Sequence, residues 1–258
     1  MNETELLFTR ALGCDRMSLY LNKDRYLNPD EVDFIASVFK RRIKSEPLQY
    51  ILGKTEFMGL EFKVNGTVLI PRSETERLVE TAIEYAKQNE TGRVLDLGTG
   101  SGCIAVSLAK YAPELKIDAS DISPEALAIA EENAAAQGAG INFVRSDLFS
   151  ALEYKEYAMI VSNPPYIASA QIRKLQPELS FEPVLALNGG ADGLDFYRRI
   201  IPEAPGYLQK NGLLIMEIGL GQKKGLEKIF AESGKFEIIE IVKDYNNLDR
   251  VICARKAD

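Results

Sequence analysis

Residues 94–102 restrict the possible folds of this chain more strongly than any other segment. They read VLDLGTGSG: an apolar run followed at once by Gly98, Thr99, Gly100, Ser101 and Gly102. Glycines allow the backbone to turn sharply and to approach a ligand closely. The segment therefore predicts a buried strand, a glycine-rich turn and the start of a helix, which together form the first unit of a ligand-binding α/β sheet.

Strand and helix patterns alternate from residue 93 onward. The periodicity predicts strands over 93–97, 116–120, 142–145, 158–162 and 213–218, and helices over 101–111, 124–137, 194–208 and 222–232. Two more strand patterns, 236–242 and 250–254, have no helix between them, so we expect them to pair antiparallel. Alternation with short connections predicts a doubly wound α/β sheet.

The spacing of the glycines indicates the kind of ligand. In the nicotinamide dinucleotide fingerprint a third glycine stands where this chain has Cys103. Asp121 follows the second strand and is suited to binding both hydroxyls of a ribose, while Asp147 and Leu148 follow the third strand and suit an adenine. An adenosine without phosphates indicates S-adenosylmethionine (SAM). The alternative is an ordinary tight turn, which the surrounding strand, helix and acidic residue disfavour.

A second motif ends the strand predicted over 158–162, where Asn163, Pro164, Pro165 and Tyr166 follow the apolar run. Each proline fixes its backbone φ angle and lacks an N–H, so the turn is stiff. The Asn163 side-chain oxygen and the Pro164 carbonyl would form an edge of hydrogen-bond acceptors beside the Tyr166 ring. A planar NH₂ group fits such an edge, which predicts chemistry on an amide or an aminated base. An ordinary strand-ending turn is the alternative.

The chain before residue 71 has a different pattern. Short helices are predicted in the first fifty residues, one of them started by Asn28, Pro29 and Glu31 and another over 47–52. A hairpin is predicted to turn near Gly59, and Ser73 is predicted to cap the next helix in a capping box. We expect a helical domain over 1–54, a β-hairpin connector over 55–70, and a cofactor-binding domain over 71–258 that contains every cofactor-binding element.

Composition excludes several kinds of chemistry. The chain has no histidine, and its three cysteines lack metal-ligand spacing, so we expect no metal and no Ser–His or Cys–His dyad. A formal net charge of −7 disfavours a broad nucleic-acid-binding surface, and the basic cluster over 40–44 is interpreted as a solvated helix face. No apolar run reaches membrane-spanning length, so we expect a cytoplasmic protein with no membrane partner.

Several further motifs carry a resemblance to a known family. They are PLQYILG at 47–53, the hairpin pattern over 57–64, VLIPRSETE at 68–76, EP at 182–183, GG at 189–190, DGL at 192–194 and DRV at 249–251. Together with the glycine-rich turn and the Asn-Pro-Pro-Tyr turn, they resemble the Rossmann-like SAM-dependent methyltransferases. Within that class the chain resembles the protein-(glutamine-N5) methyltransferases of peptide chain release factors, the HemK or PrmC family.

The resemblance implies a seven-stranded, mostly parallel sheet preceded by a small helical domain that docks the substrate. It implies that residues 98–102 form the cofactor loop, that Asp121 holds the ribose, and that Leu148 lies against the adenine. Residues 163–166 would receive the glutamine of the Gly-Gly-Gln motif of class I bacterial-type release factors. Asn163, Pro164 and Tyr166 would be catalytic, with Asn163 also touching the cofactor. We expect a monomer without a direct nucleic-acid partner.

Two departures from the family pattern are visible. Ser73 stands where the family usually has proline, and the segment over 244–248 lacks an expected glycine.

An amide nitrogen is a poor nucleophile, and two acceptors aimed at its hydrogens would stabilise the positive charge that forms on it. A methyltransferase that acts on an exocyclic amine of a nucleobase is the main alternative. A SAM-binding regulator without catalysis is a third interpretation, which the intact Asn-Pro-Pro-Tyr turn disfavours.

Overall fold

Four helices form the first part of the protein, which we describe from a computed structural model covering residues 2–88, 92–153 and 156–257. The third helix begins as predicted, because the Asn28 and Glu31 side chains each accept a hydrogen bond from the other's backbone N–H and Pro29 is the first helical residue. A small apolar core joins the first, third and fourth of them. They are α1 (Glu3–Leu12), α2 (Arg16–Leu21), α3 (Pro29–Arg42) and α4 (Leu48–Leu52).

The predicted hairpin follows and is confirmed. Strands β1 (Lys54–Phe57) and β2 (Leu60–Lys63) pair antiparallel around a turn in which Met58 and Gly59 both have positive φ angles. Phe57 and Phe62 are at most 1% exposed and pack into the core of the large sheet. The hairpin is therefore part of the following domain's packing as well as a connection to it.

The predicted capping box at Ser73 is wrong. Residues Ser73–Thr75 form a 3₁₀ turn, and helix α5 (Glu76–Gln88) begins after it. The Ser73 hydroxyl donates to the Glu74 carboxylate, and the Glu76 carboxylate accepts from the Met58 N–H at 2.7 Å instead of from the helix start. Because of this turn, the Thr75 side chain points into the protein and is buried.

The remaining strands and helices form the predicted α/β unit. In chain order the elements are β3 (Arg93–Leu97), α6 (Cys103–Tyr111), β4 (Lys116–Asp121), α7 (Pro124–Gln137), β5 (Ile141–Arg145), β6 (Tyr157–Ser162), α8 (Ser169–Ile172), α9 (Val184–Leu187), α10 (Asp195–Glu203), β7 (Leu208–Glu217), α11 (Lys223–Ser233), β8 (Phe236–Lys243) and β9 (Asp249–Lys256). The strands form a seven-stranded sheet in the order β5-β4-β3-β6-β7-β9-β8, in which the pairs from β5 to β7 are parallel and the β7–β9 and β9–β8 pairs are antiparallel. The prediction of a mostly parallel Rossmann-like sheet is confirmed.

The strand order determines where a ligand can bind. Strand β3 comes first in the sequence of the sheet but lies between β4 and β6, so the order reverses at this point. Ligands of open α/β sheets bind beside such a reversal, at the carboxyl ends of the strands. The segments that follow β3, β4, β5 and β6 are those in which the sequence places the cofactor and substrate motifs.

Some helix boundaries differ from the predicted ones for local reasons. The helix predicted over 194–208 ends at Glu203, because Pro202 lies in its last turn and a 3₁₀ turn that contains Pro205 follows. Strand β7 then begins at Leu208 and pairs there with Tyr157, five residues earlier than predicted. Within the described ranges, no helix combines the length and the apolar character needed to cross a membrane.

Candidate active site

The glycine-rich turn between β3 and α6 lines a deep cleft. Gly98 and Gly100 have φ angles of 78° and 55°, and a Cβ atom added to either would have no neighbour within 4 Å. The backbone N–H groups of Gly98 and Thr99 both donate to the Ser120 carbonyl at 2.8 Å, which ties the turn to the end of β4. The turn is therefore fixed on its sheet side and open on the cleft side, where a ligand can approach the backbone.

Gly102, the last glycine of the turn, packs against helix α7 and does not line the cleft. Its φ angle is 79°, and an added Cβ would lie 3.0 Å from the Ala130 Cβ on helix α7. The cleft lining includes Ser101 but not Gly102. Gly102 thus permits close packing of α6 against α7, and its contact with a cofactor stays a prediction.

Asp96, in strand β3, is hydrogen-bonded to the glycine-rich turn and to helix α6 in the protein interior. It is fully buried, and its Oδ2 accepts from the Thr99 hydroxyl at 2.6 Å and from the Ala105 N–H at 3.1 Å. No donor among the described residues reaches its Oδ1. Burial raises the pKa of this carboxyl from 3.8 to about 7, although the two donors act in the opposite direction.

Asp121 stands at the rim of the cleft, at the end of β4. Its Oδ2 accepts from the Gly100 N–H at 2.8 Å and its Oδ1 from the Ser123 N–H at 3.0 Å. Burial raises the pKa of Asp121 above its ordinary value, and the N–H donors oppose that shift. Each carboxylate oxygen keeps a lone pair, so the group can accept further hydrogen bonds from a ligand in the cleft.

The segment after β5 forms another part of the rim. Asp147 and Leu148 both line the cleft. The Asp147 carboxylate pairs with Arg199 of α10 at 2.8 Å, and Leu148 has a positive φ angle of 50°. The Ser146 hydroxyl donates to the Leu148 carbonyl at 2.6 Å and so supports this unusual backbone conformation.

Asn163, Pro164 and Pro165 lie on the cleft wall after β6. The Asn163 side-chain amide nitrogen donates to the Thr75 hydroxyl oxygen at 3.1 Å. In the described part of the chain no donor contacts Asn163 Oδ1, so this oxygen is the acceptor that the side chain has left for a ligand. That Asn163 Oδ1 and the Pro164 carbonyl together form an acceptor edge for a substrate stays a prediction.

Two residues that the sequence analysis did not select support this wall: Thr75, which lines the cleft, and Glu217, which lies behind it. The Thr75 hydroxyl donates to Glu217 Oε2 at 2.6 Å, and Glu217, at the end of β7, is 1% exposed. Burial raises the pKa of Glu217, and the hydroxyl donors and the nearby Arg250 act against that shift. A sequence signal for Glu217 exists, because it is an acidic residue inside the apolar run LLIMEIG.

Tyr166 is placed differently from the expectation of a ring beside the substrate amide. It is absent from the cleft lining, and its hydroxyl donates to Glu217 Oε1 at 3.0 Å. Its carbonyl accepts from Gln222 Nε2 at 2.8 Å, and a Cβ at Gly219 would lie 3.0 Å from the ring. The structure thus gives Tyr166 a supporting position, and its contact with substrate stays a prediction.

The cleft also receives residues from before position 71. Thr67, Val68 and Leu69 line it together with Arg72, because this stretch packs on α7, where Val68 shares a small core with Ala126. That every cofactor-binding element follows residue 71 stays a prediction. The segment before α10 contributes Pro183, Leu185 and Ala186 to the lining.

The cleft fits S-adenosylmethionine. Its volume is about 1090 Å³ with the space open to solvent included, slightly above the roughly 300–1,000 Å³ of ligand sites. Open space at Gly98 and Gly100 allows close approach to the backbone, and Asp121 offers a carboxylate to hydroxyl donors.

Comparison with protein families gives two matches. The family described as Methyltransferase small domain matches residues 75–179, and the family described as PrmC N-terminal domain matches residues 1–53. Among solved structures, a methyltransferase from Pyrococcus furiosus is similar, with a TM-score of 0.57, 14% identity, and coverage of 86% of this chain and 100% of that chain. A 16S rRNA methyltransferase (RsmC) from T. thermophilus, in complex with AdoMet and guanosine, has a TM-score of 0.55 at 19% identity and covers 79% of this chain and 50% of that one. These structures show the fold.

Curated relatives are much closer in sequence. The release factor glutamine methyltransferase of Geobacter sulfurreducens is 46% identical over 98% of this chain and 88% of its own length. The protein of the same name from Thermodesulfovibrio yellowstonii is 43% identical over 100% of this chain and 93% of its own length. Identity at this level over nearly the whole chain confirms the resemblance seen in the sequence: the protein belongs to the release factor glutamine methyltransferase family.

Proposed function

We propose that the protein transfers the methyl group of S-adenosylmethionine to the side-chain amide nitrogen (N5) of a glutamine, in the Gly-Gly-Gln motif of class I bacterial-type release factors. One observation carries the proposal beyond family membership. The Asn163 amide nitrogen is bonded to Thr75, which leaves Asn163 Oδ1 as an acceptor at the cleft wall. An acceptor at this place suits a substrate group that carries N–H donors, as a primary amide does.

The cofactor would lie along the carboxyl ends of β3, β4 and β5. Residues 98–101 would approach it through their backbone, and Asp121 would accept hydrogen bonds from the ribose hydroxyls. Asp147 and Leu148 would border the adenine, with the Asp147 carboxylate held in place by Arg199. When bound, S-adenosylmethionine supplies a methyl group activated by a sulfonium.

The acceptor edge would orient the substrate amide. Asn163 Oδ1 and the Pro164 carbonyl would each accept one of the two amide hydrogens, which turns the nitrogen lone pair toward the incoming methyl group. Both acceptors also stabilise the positive charge that grows on the nitrogen, because they are preorganised on a stiff turn. Positioning and electrostatic stabilisation of this kind need no covalent participation by the protein.

Proton removal would need no dedicated base. The chain contains no histidine. A methylated amide nitrogen that carries positive charge is strongly acidic, so its proton can leave to water. Acceptors aimed at the N–H groups then favour the charged transition state without holding the proton afterwards.

The family favours this reaction over methylation of a nucleobase. The relatives at 46% and 43% identity bear the name of a release factor enzyme, and the formal net charge of −7 disfavours a broad nucleic-acid surface. We propose that residues 1–54 dock the release factor and that residues 71–258, with the hairpin over 55–70, carry the cofactor. We also propose that the enzyme acts as a cytoplasmic monomer without a nucleic-acid partner.

Methyl transfer from labelled S-adenosylmethionine tests the proposal directly. The substrates are a purified class I release factor, its Gln→Ala variant at the Gly-Gly-Gln motif, and total RNA. We expect label in the intact release factor and none in the variant or the RNA. Label in RNA without label in the release factor would support the nucleobase alternative and overturn the proposal.

A further inference from the structure

With Glu217 ionised, the hydrogen bonds that connect Asn163, Thr75 and Glu217 have only one consistent direction. Thr75 has a single hydroxyl hydrogen, and it is donated to Glu217 Oε2 at 2.6 Å. An ionised carboxylate accepts hydrogen bonds and donates none, so Thr75 Oγ1 is left only as an acceptor toward Asn163. The Asn163 amide must then turn its nitrogen toward Thr75, where the distance is 3.1 Å, and its oxygen away from Thr75.

We propose that Thr75 and Glu217 are positioning residues that fix the orientation of the Asn163 amide, so that Oδ1 faces the substrate nitrogen. This inference rests on the role proposed above for Asn163. The two ends of a primary amide have nearly the same size, so sterics alone do not choose between them. With the amide reversed, its NH₂ group would face the NH₂ group of the substrate and oppose the positive charge that forms there.

Burial makes this selection strong. Thr75 and Glu217 are 2% and 1% exposed, so water does not compete for their hydrogen bonds. The second carboxylate oxygen of Glu217 accepts from the Tyr166 hydroxyl at 3.0 Å, and the backbone carbonyl of Glu217 accepts from the Tyr197 hydroxyl at 2.7 Å. Burial raises the pKa of the Glu217 carboxyl, whereas the hydroxyl donors of Thr75 and Tyr166 and the positive charge of Arg250 favour its ionised form.

The hydrogen-bonded series Glu217–Thr75–Asn163, called the relay below, joins three distant parts of the chain. Thr75 belongs to the 3₁₀ turn before α5, Asn163 follows β6, and Glu217 ends β7. Among the described residues, the Thr75 hydroxyl is the hydrogen-bond partner of the Asn163 side chain, and it can therefore set the rotation of the amide. A variant that keeps the shape of Thr75 but lacks its oxygen isolates the effect.

The test uses Thr75→Val in the full-length protein, with release factor as substrate. We expect kcat to fall at least about tenfold, with KM for release factor and Kd for S-adenosylmethionine changed less than about threefold, because the lost interaction acts on the transition state. Thr75→Ser restores the hydroxyl and should return kcat to within about threefold of the wild-type value. Thr81→Val is a matched control, since Thr81 is also buried and donates to the Arg77 carbonyl on the same helix α5.

Two further variants separate this inference from the proposed function. Asn163→Ala measures the role of Asn163 itself, and in that background Thr75→Val should lower kcat no further, because the relay acts only through Asn163. An inactive Asn163→Ala with a fully active Thr75→Val would overturn the relay alone. A fully active Asn163→Ala would overturn the role proposed for Asn163.

A purely structural role of Thr75 predicts another pattern. If Thr75→Ser lost as much kcat as Thr75→Val, or if both variants lost affinity for S-adenosylmethionine in parallel, the relay would be overturned. If Thr75→Val does not fold, kcat of Thr75→Ala, which removes the hydroxyl without adding a methyl group, can be measured in its place. Equal kcat for Thr75→Ala and Thr75→Ser would also contradict the inference.

Discussion

The Tyr166 hydroxyl donates to the Glu217 carboxylate at 3.0 Å, although 51 positions separate the two residues in the chain. The bond connects the turn after β6, which carries the proposed acceptor edge, to the end of β7. Through Thr75, the same carboxylate also reaches Asn163. The wall of the cleft is therefore held by one buried acidic residue that does not itself line the cleft.

Loss of this hydroxyl should mainly weaken the fold. Hydrogen bonds to charged groups contribute about 1.5–3 kcal/mol, so we expect Tyr166→Phe to lower the free energy of unfolding by about that amount. Tyr197→Phe is a matched control that removes a hydroxyl bonded to the Glu217 backbone carbonyl and should cost about 0.5–1.5 kcal/mol. Urea unfolding measures both. A large loss of kcat in Tyr166→Phe at unchanged stability would instead indicate that the hydroxyl contacts the substrate.

Asp121 should be needed for cofactor affinity. Hydrogen bonds to a carboxylate contribute about 1.5–3 kcal/mol each, so Asp121→Ala should weaken S-adenosylmethionine binding at least about tenfold. The loss has two sources, because Asp121 also fixes the Gly100 N–H of the cofactor loop. Glu132→Ala, on the exposed face of α7, should bind like the wild type. Unchanged affinity of Asp121→Ala by calorimetry would mean that the ribose lies elsewhere.

Asp96 should give the folded protein a specific pH dependence. Its pKa is about 7 in the folded protein and 3.8 ordinarily, so between these values the folded state holds a proton that the unfolded state has released. Stability from this group is therefore lost as pH rises from about 4 to about 7, by an amount on the order of 4 kcal/mol.

Asp96→Asn isolates this contribution. The amide oxygen can accept from both Thr99 and Ala105, as Oδ2 does, while its nitrogen takes the place of the unpartnered Oδ1. We expect the difference in unfolding free energy between this variant and the wild type to shift in favour of the variant as pH rises from 4 to 7. A difference that is independent of pH would contradict the assignment.

The hairpin should behave as part of the catalytic domain. Phe62 is fully buried in the core of the large sheet, so Phe62→Ala should lower the free energy of unfolding by about 3–5 kcal/mol. Lys63→Ala, in the same strand but on its exposed side, should have little effect. Thermal unfolding of the full-length protein measures both. A Phe62→Ala variant as stable as the wild type would show that the hairpin only connects the two domains.

The sequence was informative where a motif is local. The glycine-rich turn, Asp121 and the turn at Asn163 each follow a predicted strand, and parallel strands bring their carboxyl ends to one edge. Thr75 and Glu217 could not be paired in this way, because 142 positions separate them and only the three-dimensional packing joins them. Their contact depends on the 3₁₀ turn that replaced the predicted capping box at Ser73.

Positions that depart from the family pattern also show what the sequence alone could not predict. The segment over 244–248 lacks the glycine that the resemblance leads one to expect, and Asn247 adopts a positive φ angle of 62° there. Asparagine tolerates this conformation better than most residues. The Asp244 carboxylate accepts from the backbone N–H groups of Asn246 and Leu248, which holds the turn without glycine. A sequence pattern shows the missing glycine but not the hydrogen bonds that compensate for it.

The rate of methyl transfer to release factor by Asn163→Ala tests the central claim most directly. The variant removes the side-chain acceptor aimed at the substrate amide and leaves the Pro164 carbonyl in place. By analogy with the loss of one donor from an oxyanion hole, kcat should fall about 10²–10³-fold, or about 2.7–4 kcal/mol, and by more than any loss of affinity for S-adenosylmethionine measured alongside. A kcat near the wild-type value would contradict the account, because the turn after β6 would then have only a structural role.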